Sequence, residues 1–359
     1  MKVILLILLG LFVLFVLMIV IGRLMNTQKF KIRSETGIQK SEYVVIGGIK
    51  QYIQIRGKDI SNPVIIMLHG GPGNNLSSYS YKWQKDIEQD YTIVQWDQRG
   101  SGNTYYCNKK AEKPNLKLLL SDLDELVDYI KGGYDKEKVI ILGHSWGTFL
   151  GGVYSQKHPE KIAIYISIGQ MLDFKKTEQI STEEAIRLAN ASNNKQDVKK
   201  MRESLASVMM YQKFDKSEAT KLMKFRQLKE RYLPTQHGNE IIPLYLFSPY
   251  MTFNHLKWML KFDNLIESNS TIYKELLSGE LTMYSYSMQY EVPIMMISGD
   301  RDWTTPRNMA LDYFNHIAAP SKEFITIKNA GHIPFVDKPR DFSSLLLLKL
   351  NSVMKNGQH

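Results

Sequence analysis

The residues of this chain that could do covalent chemistry are a serine, a histidine and two aspartates, each in a short, distinctive context. Ser145 stands in GHSWG, Gly143 to Gly147, directly after the apolar run VIIL. Asp300 and Asp302 stand in GDRDWTTP after VPIMMIS, and His332 stands in NAGHIPF after EFITIK. A serine hydroxyl becomes a nucleophile when an imidazole takes its proton. The imidazole works best when a carboxylate fixes its tautomer and stabilises its cation. Serine, acid and histidine in that chain order are the parts of an acyl-transfer site. The remaining part, a set of donors for the developing oxyanion, is offered by HGGPG, His69 to Gly73. Its glycines let backbone N–H groups approach an alkoxide unobstructed, and each such donor is worth about 3 kcal/mol. The expected donors are the N–H of Gly71 and the N–H of Trp146, the residue after the serine.

A Gly-x-Ser-x-Gly pattern alone decides little, since chance produces it in roughly one chain of this length in ten. The elements around it carry the argument. Residues 63–69 (PVIIMLH), 91–96 (YTIVQW) and 138–143 (KVIILG) read as strands, apolar on both faces, as in a sheet covered by helices on each side. Between the second and third, Leu119, Leu120, Leu123, Leu126, Val127 and Ile130 trace one helical face that stops at Gly132-Gly133. A helix rich in small residues follows Ser145, and residues 162–169 form a further strand. This alternation predicts an α/β fold with a mostly parallel sheet and helices on both faces. Strand signals fade from about Gln170 to Tyr290, where amphipathic text such as KQDVKKMRESLASVMMYQ predicts a helical insertion. They return at 292–299 and 323–331, and a last helix is expected near Phe342 to Met354. Ser145, the acid and His332 then all lie at carboxyl ends of strands, where open α/β sheets bind ligands. The other histidines have poorer contexts: His69 and His144 belong to the motifs, His158 follows a surface-like QK, and His237 and His255 fall in the insertion.

Composition sets broad limits. The chain has 359 residues, 43% of them hydrophobic, enough for a large core. The net charge of +10 is spread among interspersed acids, with no single-sign block and no nucleic-acid motif, so a nucleic-acid partner is not expected. Cys107 is the single cysteine, which rules out an intrachain disulfide. No metal cluster or phosphate-binding loop is evident, and no cofactor is expected. The first 22 residues stand apart: after Lys2 the chain is uninterruptedly apolar from Val3 to Gly22. As a helix this stretch would be roughly 30 Å long, enough to cross a bilayer. It is too long, and its Val20-Ile21-Gly22 end too poor a cleavage site, for a removed signal peptide. The expectation is a single-pass membrane anchor over 1–22 and a linker over 23–40. Beyond them are expected core residues 41–169 and 291–359, with a cap over 170–290. Two orientations stay open. Arg23, Lys29, Lys31 and Arg33 outweigh Lys2 and favour a cytoplasmic domain, while a charged N-terminus ahead of a long apolar stretch also begins exported, anchored domains.

Taken together, HGGPG, WDQRGSG (Trp96 to Gly102), GHSWG, GDRDWTTP and GHIPF resemble the α/β-hydrolase fold, and specifically the proline iminopeptidase-like serine peptidases. The likeness runs over about 42–168 and from 292 onward. It implies a catalytic set of Ser145, Asp302 and His332, selecting Asp302 over Asp300 by its place after a glycine and before a proline. It makes Asp97 and Arg99 structural, and places a helical cap where the insertion falls. Cap carboxylates of that group bind the free amino terminus of the substrate, usually in Trp- and Glu-rich text that is missing here; Glu178, Glu183 and Glu184 are the available substitutes. Tyr284, Tyr286 and Tyr290 either line the acyl pocket or pack in the core. The expected function is a membrane-anchored serine aminopeptidase that releases N-terminal residues, of proline type, from short peptides. The alternative is a serine esterase or lipase-like enzyme acting on acyl esters.

Overall fold

The computed structural model describes residues 1–211, 213–235 and 241–356. Its centre is an eight-stranded sheet in the order β1-β2-β4-β3-β5-β6-β7-β8. The strands are β1 (Ile38–Ile46), β2 (Ile49–Gly57), β3 (Val64–Leu68), β4 (Thr92–Asp97), β5 (Val139–His144), β6 (Ile162–Ile168), β7 (Ile294–Gly299) and β8 (Lys322–Ile327). β1 and β2 form an antiparallel hairpin and β2 joins β4 antiparallel. All pairings from β4 onward to β8 are parallel. β3 to β7 are buried at every position except Ala163 of β6, which is why their text runs apolar without alternation.

Side chains alternate between the two faces of the sheet. Ile66 and Leu68 of β3 point into one core with α4 (Leu116–Gly133) and α5 (Trp146–Lys157). Ile65 and Met67 point into the other, with α2 (Tyr81–Ile87) and α15 (Pro339–Asn356). α4 begins at Asn115, whose side chain accepts from the N–H of Leu118, and it buries the six-residue face that its periodicity marked except at Leu120, where Asp122 takes the buried place. Asp122 is buried because Arg99 donates to it from Nε at 2.8 Å and from Nη2 at 2.9 Å.

Between β6 and β7 the chain is helical among the described residues: α6 (Phe174–Ala191), α7 (Lys195–Met209), α8 (Lys216–Glu230), α9 (Ile241–Leu246), α10 (Phe253–Leu260), α11 (Phe262–Ser268) and α12 (Ser270–Ser278). α6, α7 and α8 close a third apolar cluster of their own around Met201, Val208 and Phe225. The remaining helices are α3 (Gly102–Cys107), α13 (Arg307–His316) and α14 (Pro334–Asp337).

The first helix, α1, runs from Lys2 to Lys29, buries none of its residues, and is long and apolar enough to cross a membrane. It continues seven residues past Gly22, into text read from sequence as a linker, and β1 starts before that text ends. The extension has a physical cause. Arg23 Nε donates to the Leu246 carbonyl and Asn26 Nδ2 to the Phe247 carbonyl, both at 2.8 Å. Phe30, just past the helix, is buried edge-on against Tyr81 at 4.9 Å between ring centres.

Candidate active site

Ser145 occupies the sharp junction between β5 and α5, with φ +53° and ψ −118°. A side chain held at positive φ is strained, and such strain persists only where the surroundings enforce it. The motif glycines allow the enforcement. A Cβ on Gly147 would lie 2.2 Å from the Leu68 carbonyl oxygen, and one on Gly143 would lie 2.3 Å from that of Gly147. The Ser145 N–H donates to the Ile168 carbonyl of β6 at 3.0 Å, which pins the turn to the sheet. Trp146 is the first residue of α5, so its N–H has no acceptor one turn earlier and is available to a ligand.

The loop after β7 brings Asp302 to His332, which follows β8. His332 Nδ1 and Asp302 Oδ2 are 2.9 Å apart. The N–H groups of Thr304 and Thr305 each donate to Asp302 Oδ1 at 2.9 Å, and the Thr305 hydroxyl donates to Oδ2 at 2.8 Å. Burial by itself would raise the Asp302 carboxyl. The adjoining His332 and the Thr305 hydrogen bonds outweigh it and hold the group below the usual carboxylate range. Asp300 does not reach the histidine and instead accepts from the Ala330 N–H at 3.3 Å. His332 is further held by its own carbonyl, which pairs with His144 Nε2 at 2.9 Å, and the two imidazole centres are 4.9 Å apart. Burial, with His332 beside it, pushes His144 down to about 3, so this neighbour stays neutral.

Ser145, Gly71 and Thr305 line one cavity together with Met171, Phe174 and Thr177. Leu222 and Arg226 of α8 and Tyr273 and Leu276 of α12 close it from above. The HGGPG loop that carries Gly71 is clamped on three sides: His69 Nε2 pairs with the Ser101 hydroxyl at 3.0 Å, Tyr273 donates to the Pro72 carbonyl at 3.1 Å, and Trp258 Nε1 donates to the Gly73 carbonyl at 2.8 Å. Asp97 and Arg99 do not line the cavity. Asp97 is buried beneath α10, accepting from Ser77 at 2.7 Å and pairing with His255 at 2.9 Å.

Some of the expectations take a different form. Glu178 is not an open helix-face acid: it is buried, with Arg226 Nε at 2.7 Å on one oxygen and Lys229 Nζ at 2.6 Å on the other. Burial would raise its carboxyl, and the two cations hold it below the ordinary range instead. Glu183 is exposed and Glu184 pairs with Arg187 at 2.7 Å. None of the three lines the cavity with Ser145, where Arg226 is the charged residue among the described lining residues. Tyr284, Tyr286 and Tyr290 are also outside that lining: Tyr290 is buried and bonds Tyr313 at 3.0 Å, and Tyr286 meets Phe149 edge-on. Tyr273, Leu222, Arg226 and Thr305 went unnoticed in the sequence. Only Thr305, in the text just after Asp302, carried a local signal. His237 lies outside the described residues.

A parallel sheet with a strained serine after β5, an acid after β7 and a histidine after β8 has the architecture of an α/β hydrolase. The family model described as alpha/beta hydrolase fold matches residues 63–339, and the chain belongs to that family. It is 26% identical over 317 residues to a probable aminopeptidase, YbaC, of Bacillus subtilis, covering 84% of this chain and 93% of that protein. It is 24% identical over 315 residues to a proline iminopeptidase of Heyndrickxia coagulans, covering 86% and 97% respectively. The resemblance to the proline iminopeptidase group therefore extends along most of the chain. The crystal structure of a bacterial membrane phospholipase A superposes with a TM-score of 0.63 at 15% identity, over 98% of this chain and 97% of that one. At that identity the likeness is one of fold, and its extent includes most of α1.

Proposed function

We propose that this hydrolase works through an acyl-enzyme formed on Ser145, with His332 as base and Asp302 as its partner. The observation that carries the reading is one cavity lined by a serine at φ +53°, by Gly71, and by Thr304 and Thr305, which hold the carboxylate of the Asp302–His332 pair. With Nδ1 held by the carboxylate, Nε2 of His332 takes the Ser145 proton as Oγ attacks the substrate carbonyl. The N–H groups of Gly71 and Trp146 receive the oxyanion. As the tetrahedral centre collapses, the proton passes from Nε2 to the leaving amine or alcohol. Water, deprotonated by the same nitrogen, then releases the acyl group and restores the serine.

For the substrate, similarity to an aminopeptidase and a proline iminopeptidase over most of the chain supports release of N-terminal residues from short peptides. Residues 170–290 act as the cap that shapes the acyl pocket, and α1 acts as a membrane anchor. A second reading, hydrolysis of acyl esters, is favoured by one observation: Glu178 is neutralised by Arg226 and Lys229, so the cavity presents a cation rather than an open carboxylate to an incoming ammonium group. The test compares kcat/KM of the full-length protein in detergent for a prolyl arylamide, its N-acetylated form and a short-chain aryl ester. Turnover of the free-amine substrate alone upholds the peptidase reading; cleavage of the ester alone replaces it with the esterase.

A further inference from the structure

α10 has two faces with different partners. Its inner face carries His255, bonded to Asp97, and Trp258, bonded to the HGGPG loop. Its outer face carries Phe253, Leu256, Met259 and Leu260, spaced as one helical stripe, with Phe253 69% and Leu260 72% exposed. Ile242 of α9 and Phe262 of α11, the residues flanking this segment, are exposed apolar side chains as well. Lys257 stands 4.2 Å from the Phe253 ring, and Lys261 follows the helix. An apolar stripe flanked by lysines is the pattern of a helix that lies in a membrane interface.

The position of α1 says which surface covers this stripe. α1 is fastened to the segment just before α10: beyond the bonds of Arg23 and Asn26 to the Leu246 and Phe247 carbonyls, Gly22 lies so close to the Phe247 ring that a Cβ there would be 2.5 Å from it. Gly22 and Arg23 are where the apolar stretch of α1 ends, so residues 246 and 247 sit at the depth of the bilayer boundary. α10 begins six residues further along. On the same helix end, Lys29, Lys31, Arg33 and Lys58 line a groove in which no acid takes part among the described residues. These cations suit anionic headgroups, whose negative surface potential attracts basic side chains lying close to it.

We infer that the outer face of α10, with Ile242 and Phe262, seats in the headgroup layer of the same anionic bilayer that α1 spans, so that the helix holding the HGGPG loop rests on the membrane. The inference rests on the anchor reading of α1. Docking at this depth brings the Trp258–Gly73 contact, and through it the site, next to the lipid surface.

The test uses the full-length chain with Cys107→Ser, reconstituted into phosphatidylcholine vesicles with and without phosphatidylglycerol. Single cysteines are introduced by Leu14→Cys on α1, Leu260→Cys on α10 and Tyr129→Cys on α4. Tyr129 is exposed on the sheet face opposite the one that packs Phe30. Each variant carries an environment-sensitive fluorophore read against lipids with quenchers at shallow or deep positions. The expected result is that Leu14→Cys loses most of its emission to the deep quencher. Leu260→Cys loses most of its emission to the shallow one and shifts to the blue, more so with phosphatidylglycerol, and Tyr129→Cys stays bright. If Leu14→Cys is quenched and Leu260→Cys behaves like Tyr129→Cys, docking is overturned while the anchor stands. If Leu14→Cys is not quenched, the anchor falls and the docking with it. Quenching of Leu260→Cys that ignores phosphatidylglycerol overturns the anionic headgroup component.

Discussion

At the scale of single residues, the site depends on which carboxylate reaches the imidazole. Asp302 is bonded to His332 and Asp300 only to a loop N–H, so their amide variants separate the roles. Asp302→Asn keeps the shape but forces the wrong tautomer on His332, and should lower kcat by about three to four orders of magnitude. Asp300→Asn should stay within roughly tenfold of the parent, since it weakens one long, partly exposed hydrogen bond. The reverse ranking in steady-state assays would move the acid to Asp300. Ser145→Ala should abolish turnover while leaving the thermal unfolding midpoint in place, because the strained turn needs no hydroxyl for its own stability. Trapping with a fluorophosphonate reads the same point: the parent labels and Ser145→Ala does not. Glu178 gives a residue-scale prediction in pH. Its folded carboxyl lies below the ordinary range, so its pairing stabilises the protein above about pH 4.3, the unfolded value, and the contribution disappears as pH falls through the lower folded value. Glu178→Gln should therefore be less stable at neutral pH by about 3 kcal/mol, since buried Lys229 loses its counter-ion. The gap to the parent should close on acidification. A gap independent of pH in denaturant titrations would contradict the ion-pair account.

At the scale of elements, the turn between β5 and α5 is set by close approach rather than by local propensity. Gly147 lets the first turn of α5 lie against the end of β3, and Gly147→Ala would drive a Cβ into the Leu68 carbonyl. That substitution should cost about 3 kcal/mol or more, because neither the strand nor the helix can give way without opening the sheet. Gly132→Ala on α4 is the matched comparison. Nothing lies within 4 Å of a Cβ there, and alanine should stabilise by about 0.5–1 kcal/mol. Thermal unfolding of the pair checks both signs at once. The cap helices show how much of an element's role comes from partners outside it. α6 buries Thr177, Glu178, Ser181 and Thr182, a polar face that reads like a solvent face until α8 supplies Arg226 and Lys229 against it.

At the scale of the whole molecule, α1 is part of the folded body as well as a long apolar helix. Arg56, buried on β2, donates to the Phe30 carbonyl at 2.7 Å, pairs with Glu88 at 2.6 Å and also contacts the Tyr250 hydroxyl. That one guanidinium therefore joins the end of α1, the sheet, α2 and the segment before α10. Phe30→Ala should cost about 3 kcal/mol by emptying the space against Tyr81. It should also loosen the stretch from Leu246 to Tyr250, seen as faster amide exchange there in detergent micelles. Unchanged exchange at those residues would show that α1 is tethered without being packed.

The sequence by itself marked the strands β3 to β8, their order of appearance, the helical insertion and the places of Ser145 and His332, and left the acid to Asp300 or Asp302 until the family resemblance chose the second. These depend on local chemistry: apolar runs that must be buried on both faces, glycines at a tight turn, and carboxyl ends of strands converging on one rim. The apolar length of α1 was equally plain in its composition. Only the tertiary structure decided that Glu178 is neutralised, that Arg226 and Tyr273 rather than Tyr284 to Tyr290 close the cavity, and that α1 runs on past Gly22. In each case the deciding contact joins residues far apart in the chain, Glu178 with Arg226 or Arg23 with Leu246. Periodicity reports which face of an element is apolar, but not which distant charge or carbonyl will meet a polar one.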